Sequence, residues 1–168
     1  MRVIAITRAP LDDSAAADAV VPVERMGEAL ADERHIQFPP GRVRRDLEEV
    51  TAWLRGKGRA DDPVARRTLT DLALHVAEVE MHGLLVLDAM QKGRPAGAAA
   101  AANKIAHTVA CQRIADAALE LGGPEALLES SRPNLLWRHA LWETIGGGTS
   151  EIMRSIVARE ALGLSVRS

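Results

Sequence analysis

The 168-residue sequence has no tyrosine, one phenylalanine and three tryptophans. Stacking of nucleic-acid bases on aromatic side chains is therefore not expected. A net charge of -2, with no basic block at either end, removes the electrostatic case for nucleic acid as well. The single cysteine, Cys111, excludes an internal disulfide. It lies in an Ala-rich helical run and reads as a small core residue, in keeping with a reducing cytoplasm. No apolar run reaches the ~18 residues of a transmembrane helix, and the N-terminus lacks the apolar region of a signal peptide. The expectation is a cytoplasmic protein with neither membrane nor nucleic acid as partner. No internal repeat or low-complexity tail is present.

What is present is 47% apolar and 26% charged, ordinary for a globular domain with its own core. Residues 2–7 (RVIAIT) and 19–23 read as two short strands, with Pro22 placing the second at an edge. Two strands do not make a stable sheet unaided, so residues 1–24 read as the remnant of a larger β-domain. From Glu24 the pattern turns helical and breaks at Pro39-Pro40-Gly41. Val43, Leu47, Val50 and Leu54 mark the next helix, which Gly56-Lys57-Gly58 ends. Asp61 or Asp62 then caps a long helix opening at Pro63, with Leu69, Leu72, Val76, Val79, Gly83, Val86 and Met90 as its stripe. An Ala-rich helix from Pro95 to Leu121 follows, its buried side marked by Ile105, Val109, Ile114, Ala117 and Leu121, and Gly122-Gly123-Pro124 stops it. A further helix spans Asn134 to about Thr144. Short connections between such helices predict an all-α, up-and-down bundle of about five helices over residues 25–168.

The stretch 143–164, ETIGGGTSEIMRSIVAREALGL, is the most informative. Three glycines cannot lie comfortably inside a helix, so they feed a new one, capped by Thr149 or Ser150, with Glu151 in its first turn. A helix start of this kind presents free N–H groups and a positive dipole end to an anion. Among the other polar residues, Arg42, Arg44 and Arg45 with Glu48 and Glu49 read as a solvated helix face. His75 and His82 share a helix face, but no His–Glu pair at ligand spacing accompanies them, and no metal site is expected. Trp53, Trp137 and Trp142 read as partly buried anchors.

The stretch resembles the C-terminal signature of the acyl-CoA dehydrogenase family: Gly148-Thr149-Ser150-Glu151-Ile152, Arg154, then Ala158-Arg159-Glu160, Leu162 and Gly163. Asp62-Pro63 with Arg66, Arg67, Leu69, Leu72 and Glu78 resembles the family's long second C-terminal helix. Gly93-Arg94-Pro95 with residues 101–104, and the turn Leu121 to Leu127, resemble its next junctions. Residues 2–28 are similar to the last strands of its middle β-domain. The family's N-terminal helical domain and most of the middle domain have no counterpart here.

The resemblance implies FAD-dependent α,β-dehydrogenation of an acyl-CoA or other acyl thioester, within fatty-acid or lipid metabolism. That chemistry needs a carboxylate base, a stacked flavin and donors on the thioester carbonyl. The family's commonest base position falls on Gly147, which cannot accept a proton. A minority pattern, Leu-x-x-Glu-Arg, matches Leu30 to Arg34 and makes Glu33 the implied base, with Arg34 its neighbour. Gly148, Thr149 and Glu151 match positions near FAD, and Leu121, Gly122 and Gly123 match a turn that meets a neighbouring subunit's FAD. The usual Arg-x-x-Phe-Gly FAD segment is replaced by Arg55-Gly56-Lys57-Gly58-Arg59. The implied assembly is a homo-oligomer or a hetero-oligomer with a fuller acyl-CoA dehydrogenase. Two other readings are open: a non-catalytic partner subunit, and a repurposed, flavin-free helical domain.

Overall fold

A computed structural model describes residues 37–165. Five α-helices form the described part: α1 (Pro40–Gly56), α2 (Pro63–Gln91), α3 (Gly97–Gly122), α4 (Arg132–Glu143) and α5 (Ser150–Glu160), with a 3-10 turn (Gly123–Leu127) between α3 and α4. No strand occurs among the described residues, and the fold is the all-α bundle that the periodicity predicts. The predicted strands and the helix from Glu24 lie outside the described residues. None of the described helices is long and apolar enough to cross a membrane.

Proline and side-chain caps set the helix starts. Pro39-Pro40 begins α1, because proline suits a first turn whose N–H would have no helical partner. Asp62, not Asp61, caps α2 by accepting from the N–H groups of Val64 and Ala65. Ser131 caps α4 by accepting from Asn134 at 3.1 Å. α4 thus starts two residues before the position read from the sequence.

α3 is the axis of the bundle and packs against all four other helices. Its alanines 100, 101, 106, 110, 115, 117 and 118 are buried and let neighbouring helices approach closely. Val43, Val50 and Leu54 of α1, Leu72, Val76 and Val79 of α2, and Leu136 and Ala140 of α4 close on Ile114 and Cys111. This enclosure corrects the single buried stripe expected for α3. Ile105 and Val109 are only half-buried, whereas Asn103, Lys104, His107 and Thr108 are fully buried. Met90 of α2 is 42% exposed, and Ala89 takes the buried place beside it. Trp53 is half-buried, but Trp137 and Trp142 are exposed.

Ile114 is 1% exposed at the centre of this core, whereas Leu74 is 66% exposed on the outer side of α2. Ile114→Ala is expected to lower unfolding free energy by ~2–5 kcal/mol, and Leu74→Ala by no more than ~0.5 kcal/mol. Urea-denaturation midpoints read by circular dichroism check the pair.

Candidate functional site

The site is built where the end of α4 turns into α5. α4 stops at Glu143, and residues 144–148 turn the chain before Thr149 caps α5. Gly147 has φ +70 and Gly148 φ +105, a region that side chains other than glycine adopt only under strain. Thr149 Oγ1 accepts from the N–H of Ile152 at 3.5 Å, which selects Thr149 over Ser150 as the cap. Glu151, exposed in the first turn, titrates below the usual carboxylate range. Its own backbone N–H is the main cause, and the Thr149 hydroxyl adds to it. The positive helix end read from the sequence is therefore present, and Glu151 is already an anion upon it.

Polar residues of α3 fix this turn. Thr108 Oγ1 donates to the Glu143 carbonyl at 3.4 Å, and Lys104 Nζ to the Thr144 carbonyl at 3.5 Å. Asn103 Nδ2 donates to the Phe38 carbonyl at 3.3 Å. Phe38 is fully buried, its ring edge-on to His107 with centroids 5.3 Å apart. A Cβ at Gly147 would lie 2.7 Å from Phe38 Cε2 and 3.0 Å from Gln37 Oε1. The position where a side chain at 147 would begin is thus filled by the segment leading into α1.

Beneath the turn lies a buried polar cluster. Glu143 and His107 are both 0% exposed, and Cys111 is also buried. His107 Nδ1 is 3.5 Å from Glu143 Oε2 and 3.6 Å from Cys111 Sγ. Arg42 of α1 pairs with Glu143 Oε1. Burial alone would raise the Glu143 carboxyl, but His107, Cys111 and Arg42 together outweigh it and hold the group below its usual range. Burial, reinforced by the Glu143 charge, pushes the Cys111 thiol up. Asp46 is raised by burial, against the pull of Arg42 and Arg132. The α1 charges are therefore more than the solvated face read from the sequence. Arg42 reaches a buried carboxylate, Arg44 Nε donates to Glu80 of α2 at 2.7 Å, and Arg132 of α4 spans Glu49 at 2.5 Å and Asp46 at 3.2 Å.

Residues 23–162 match the family model for the acyl-CoA dehydrogenase C-terminal domain. The chain belongs to the acyl-CoA dehydrogenase family. No curated protein sequence matches it. Solved structures share its fold. A variant of the Tcur3481-Tcur3483 steroid ACAD is 24% identical with a TM-score of 0.75, over 86% of this chain and 40% of that one. The acyl-CoA dehydrogenase of Slackia heliotrinireducens is 19% identical with a TM-score of 0.74, over 84% of this chain and 39% of its own. A probable acyl-CoA dehydrogenase from Mycobacterium abscessus is 21% identical with a TM-score of 0.71, over 83% and 38%. The chain thus spans about two-fifths of the length of these acyl-CoA dehydrogenases.

The structure divides the candidate residues into three groups. Gly148, Thr149 and Glu151 meet at the start of α5, beside the level of Lys104 in α3. Leu121, Gly122 and Gly123 lie at the far end of α3, eighteen residues along, or ~27 Å at 1.5 Å per residue. There Arg59 donates to the Leu121 carbonyl at 3.1 Å and Lys57 pairs with Glu125. The loop that replaces the family's FAD segment is therefore tied to the Leu121 turn. Glu33 and Arg34 lie outside the described residues. Measured against FAD, neither turn by itself would hold the group. The α5 start has N–H donors but carries its own anion in Glu151, and the Leu121 turn is engaged by Arg59 and Lys57.

Sequence reading passed over the cluster of His107, Cys111 and Glu143. A signal was available: His107 and Cys111 are four apart on one helix and share a face. Nothing in the sequence brought Glu143, thirty-two residues beyond Cys111, to the same point.

Gly147→Ala is expected to cost ~1–3 kcal/mol from its positive φ alone, with the Phe38 contact adding to it. The cost should shrink in a Phe38→Ala background. A thermodynamic double-mutant cycle reads the coupling, and strictly additive costs would separate the two residues.

Proposed function

We propose that the chain supplies the C-terminal helical domain of an FAD-dependent acyl-CoA dehydrogenase, completed by further sequence or by a partner subunit. The substrate is an acyl-CoA or other acyl thioester. The reaction is oxidation across its Cα–Cβ bond, with Glu33 as base. The observation that carries this reading is the packing of Phe38 and Gln37 against Gly147. It closes the family's commonest base position and ties the chain that follows Glu33 to that same turn. Four residues lie between Glu33 and Phe38, so the two positions are at most ~17 Å apart.

In this reading the Glu33 carboxylate takes the α-proton of the thioester and becomes a carboxylic acid. Arg34 is the next residue of the same pattern. When bound, FAD supplies the acceptor for the β-hydride. The α5 start, with the Thr149 N–H group, would meet one part of the cofactor, the Gly148 N–H being bonded to the Ile145 carbonyl at 3.2 Å. Its ~27 Å separation from the Leu121–Gly123 turn supports a contact of that second turn with a different subunit's flavin. Leu74, Met81 and Leu85 form an exposed apolar row on α2, and Leu141, Trp142 and Ile145 are exposed near the α4 end. Such surfaces support assembly, either with copies of this chain or with a fuller dehydrogenase.

The closed position at 147 also favours a second reading, in which the chain is a non-catalytic subunit that completes a partner's flavin site. The flavin spectrum of the purified protein, its mass in solution and turnover by Glu33→Gln test these readings together. With the completing sequence or partner present, flavin is expected to be retained and Glu33→Gln to lower kcat by ~10²-fold or more. Retained flavin with unchanged kcat would assign catalysis to the partner. Loss of flavin in every such combination would leave a flavin-free helical domain. Leu74→Asp with Met81→Asp is expected to reduce the mass in solution without loss of helical signal, and an unchanged mass would clear α2 of a role in assembly.

A further inference from the structure

We infer that His107, Cys111 and Glu143 form a zinc site that fastens the end of α4 to α3. All three are buried, and one ligand atom from each lies within 4.8 Å of the others. Their separations suit a common metal ion. Bond lengths of ~2.3 Å to sulfur and ~2.0–2.1 Å to nitrogen or oxygen, at tetrahedral angles, put ligand atoms roughly 3.3–3.6 Å apart. The structure has 3.6 Å between His107 Nδ1 and Cys111 Sγ, and 3.5 Å between Nδ1 and Glu143 Oε2.

The Glu143 carboxylate supplies a second and independent observation. It is fully buried, and neither oxygen makes a well-directed hydrogen bond among the described residues, although Arg42 flanks Oε1. Oε2 faces His107 Nδ1 at 3.5 Å, where a cation between them would be a ligand to both. Beside the cluster is a cavity of about 10 Å³ lined by Cys111, Glu143, Arg42, Asp46 and His139. That volume holds about one water, on the Cys111 and Glu143 side of the cluster.

The ligand set selects the metal. One thiolate, one imidazole and one carboxylate make a borderline-soft site, which suits Zn²⁺ over Mg²⁺ or Ca²⁺. Binding converts the Cys111 S–H to a zinc-bound thiolate and releases one proton to solvent, with no change of oxidation state. The two charges of the ion are then balanced by Cys111 and Glu143, while Arg42 faces Asp46 and Glu143 at the edge. A bound ion would hold the residue immediately before the 144–148 turn, adding a coordinate bond to the Thr108 and Lys104 hydrogen bonds.

The test uses the full chain, with Zn²⁺ and then Co²⁺ as the probe. One Zn²⁺ per chain is expected by elemental analysis, with release of one proton per ion at neutral pH. Co²⁺ should give a thiolate-to-metal charge-transfer band that Cys111→Ala and His107→Gln abolish and that His139→Ala retains. No proton release from the folded wild-type protein, or metal content unchanged in a folded Cys111→Ala protein, overturns the site. The wild-type proton release stands as a test even if a variant fails to fold.

Discussion

The enclosure of α3 is the constraint on which the rest of the bundle depends. A helix that packs against four others needs small residues wherever a neighbour crosses closely, and alanine meets that need at little conformational cost. Packing removes water from Asn103, Lys104, His107 and Thr108 of this helix, so their polar groups need protein partners. Asn103, Lys104 and Thr108 meet this demand by donating to carbonyls at Phe38, Thr144 and Glu143. The central helix therefore fixes two segments distant in sequence: the entry to α1 and the exit of α4. These segments meet at Gly147.

That meeting defines what the glycine turn can do. A carboxylate cannot be presented from position 147 while Phe38 is packed against it and the backbone holds φ +70. The turn does retain its other property, a capped helix start with a positive dipole end. Glu151 lies on that end, its carboxyl held low by its own N–H and by Thr149. A cofactor phosphate approaching the same place meets an existing negative charge. The chain spans about two-fifths of the length of its solved relatives.

Buried charge beneath the turn is the second organising feature. Removing a carboxylate from water is expensive unless partners compensate. Glu143 is compensated by Arg42 from α1 and by its proximity to His107, so the ion pair ties α1 to the α4 end through the core. Asp46 and Glu49, paired with Arg132, repeat that α1–α4 tie nearer the surface. Breaking one member of such a set strands the other in a dry environment, which makes the cluster a determinant of this particular packing as well as of its chemistry.

The family, the helical class and most helix boundaries were legible in the sequence because they rest on local rules. Pro63 after Asp62 opens α2, Gly122-Gly123-Pro124 closes α3, and the periodic Val43, Val50 and Leu54 face the core. Each needs only neighbours within a turn or two of chain. Burial on α3 was misread, since a composition of alanine carries little periodic contrast and packing against four helices weakens the amphipathic pattern. The role of Phe38 and the company of Glu143 were not legible at all. They depend on contacts between residues tens of positions apart, and no local propensity encodes such a distance. The sequence by itself determined a helical acyl-CoA dehydrogenase domain with a capped glycine turn. The tertiary structure alone decided that Phe38 fills the space beside Gly147 and that a buried His–Cys–Glu cluster underlies the turn, because only packing brings α1, α3 and α4 to one point.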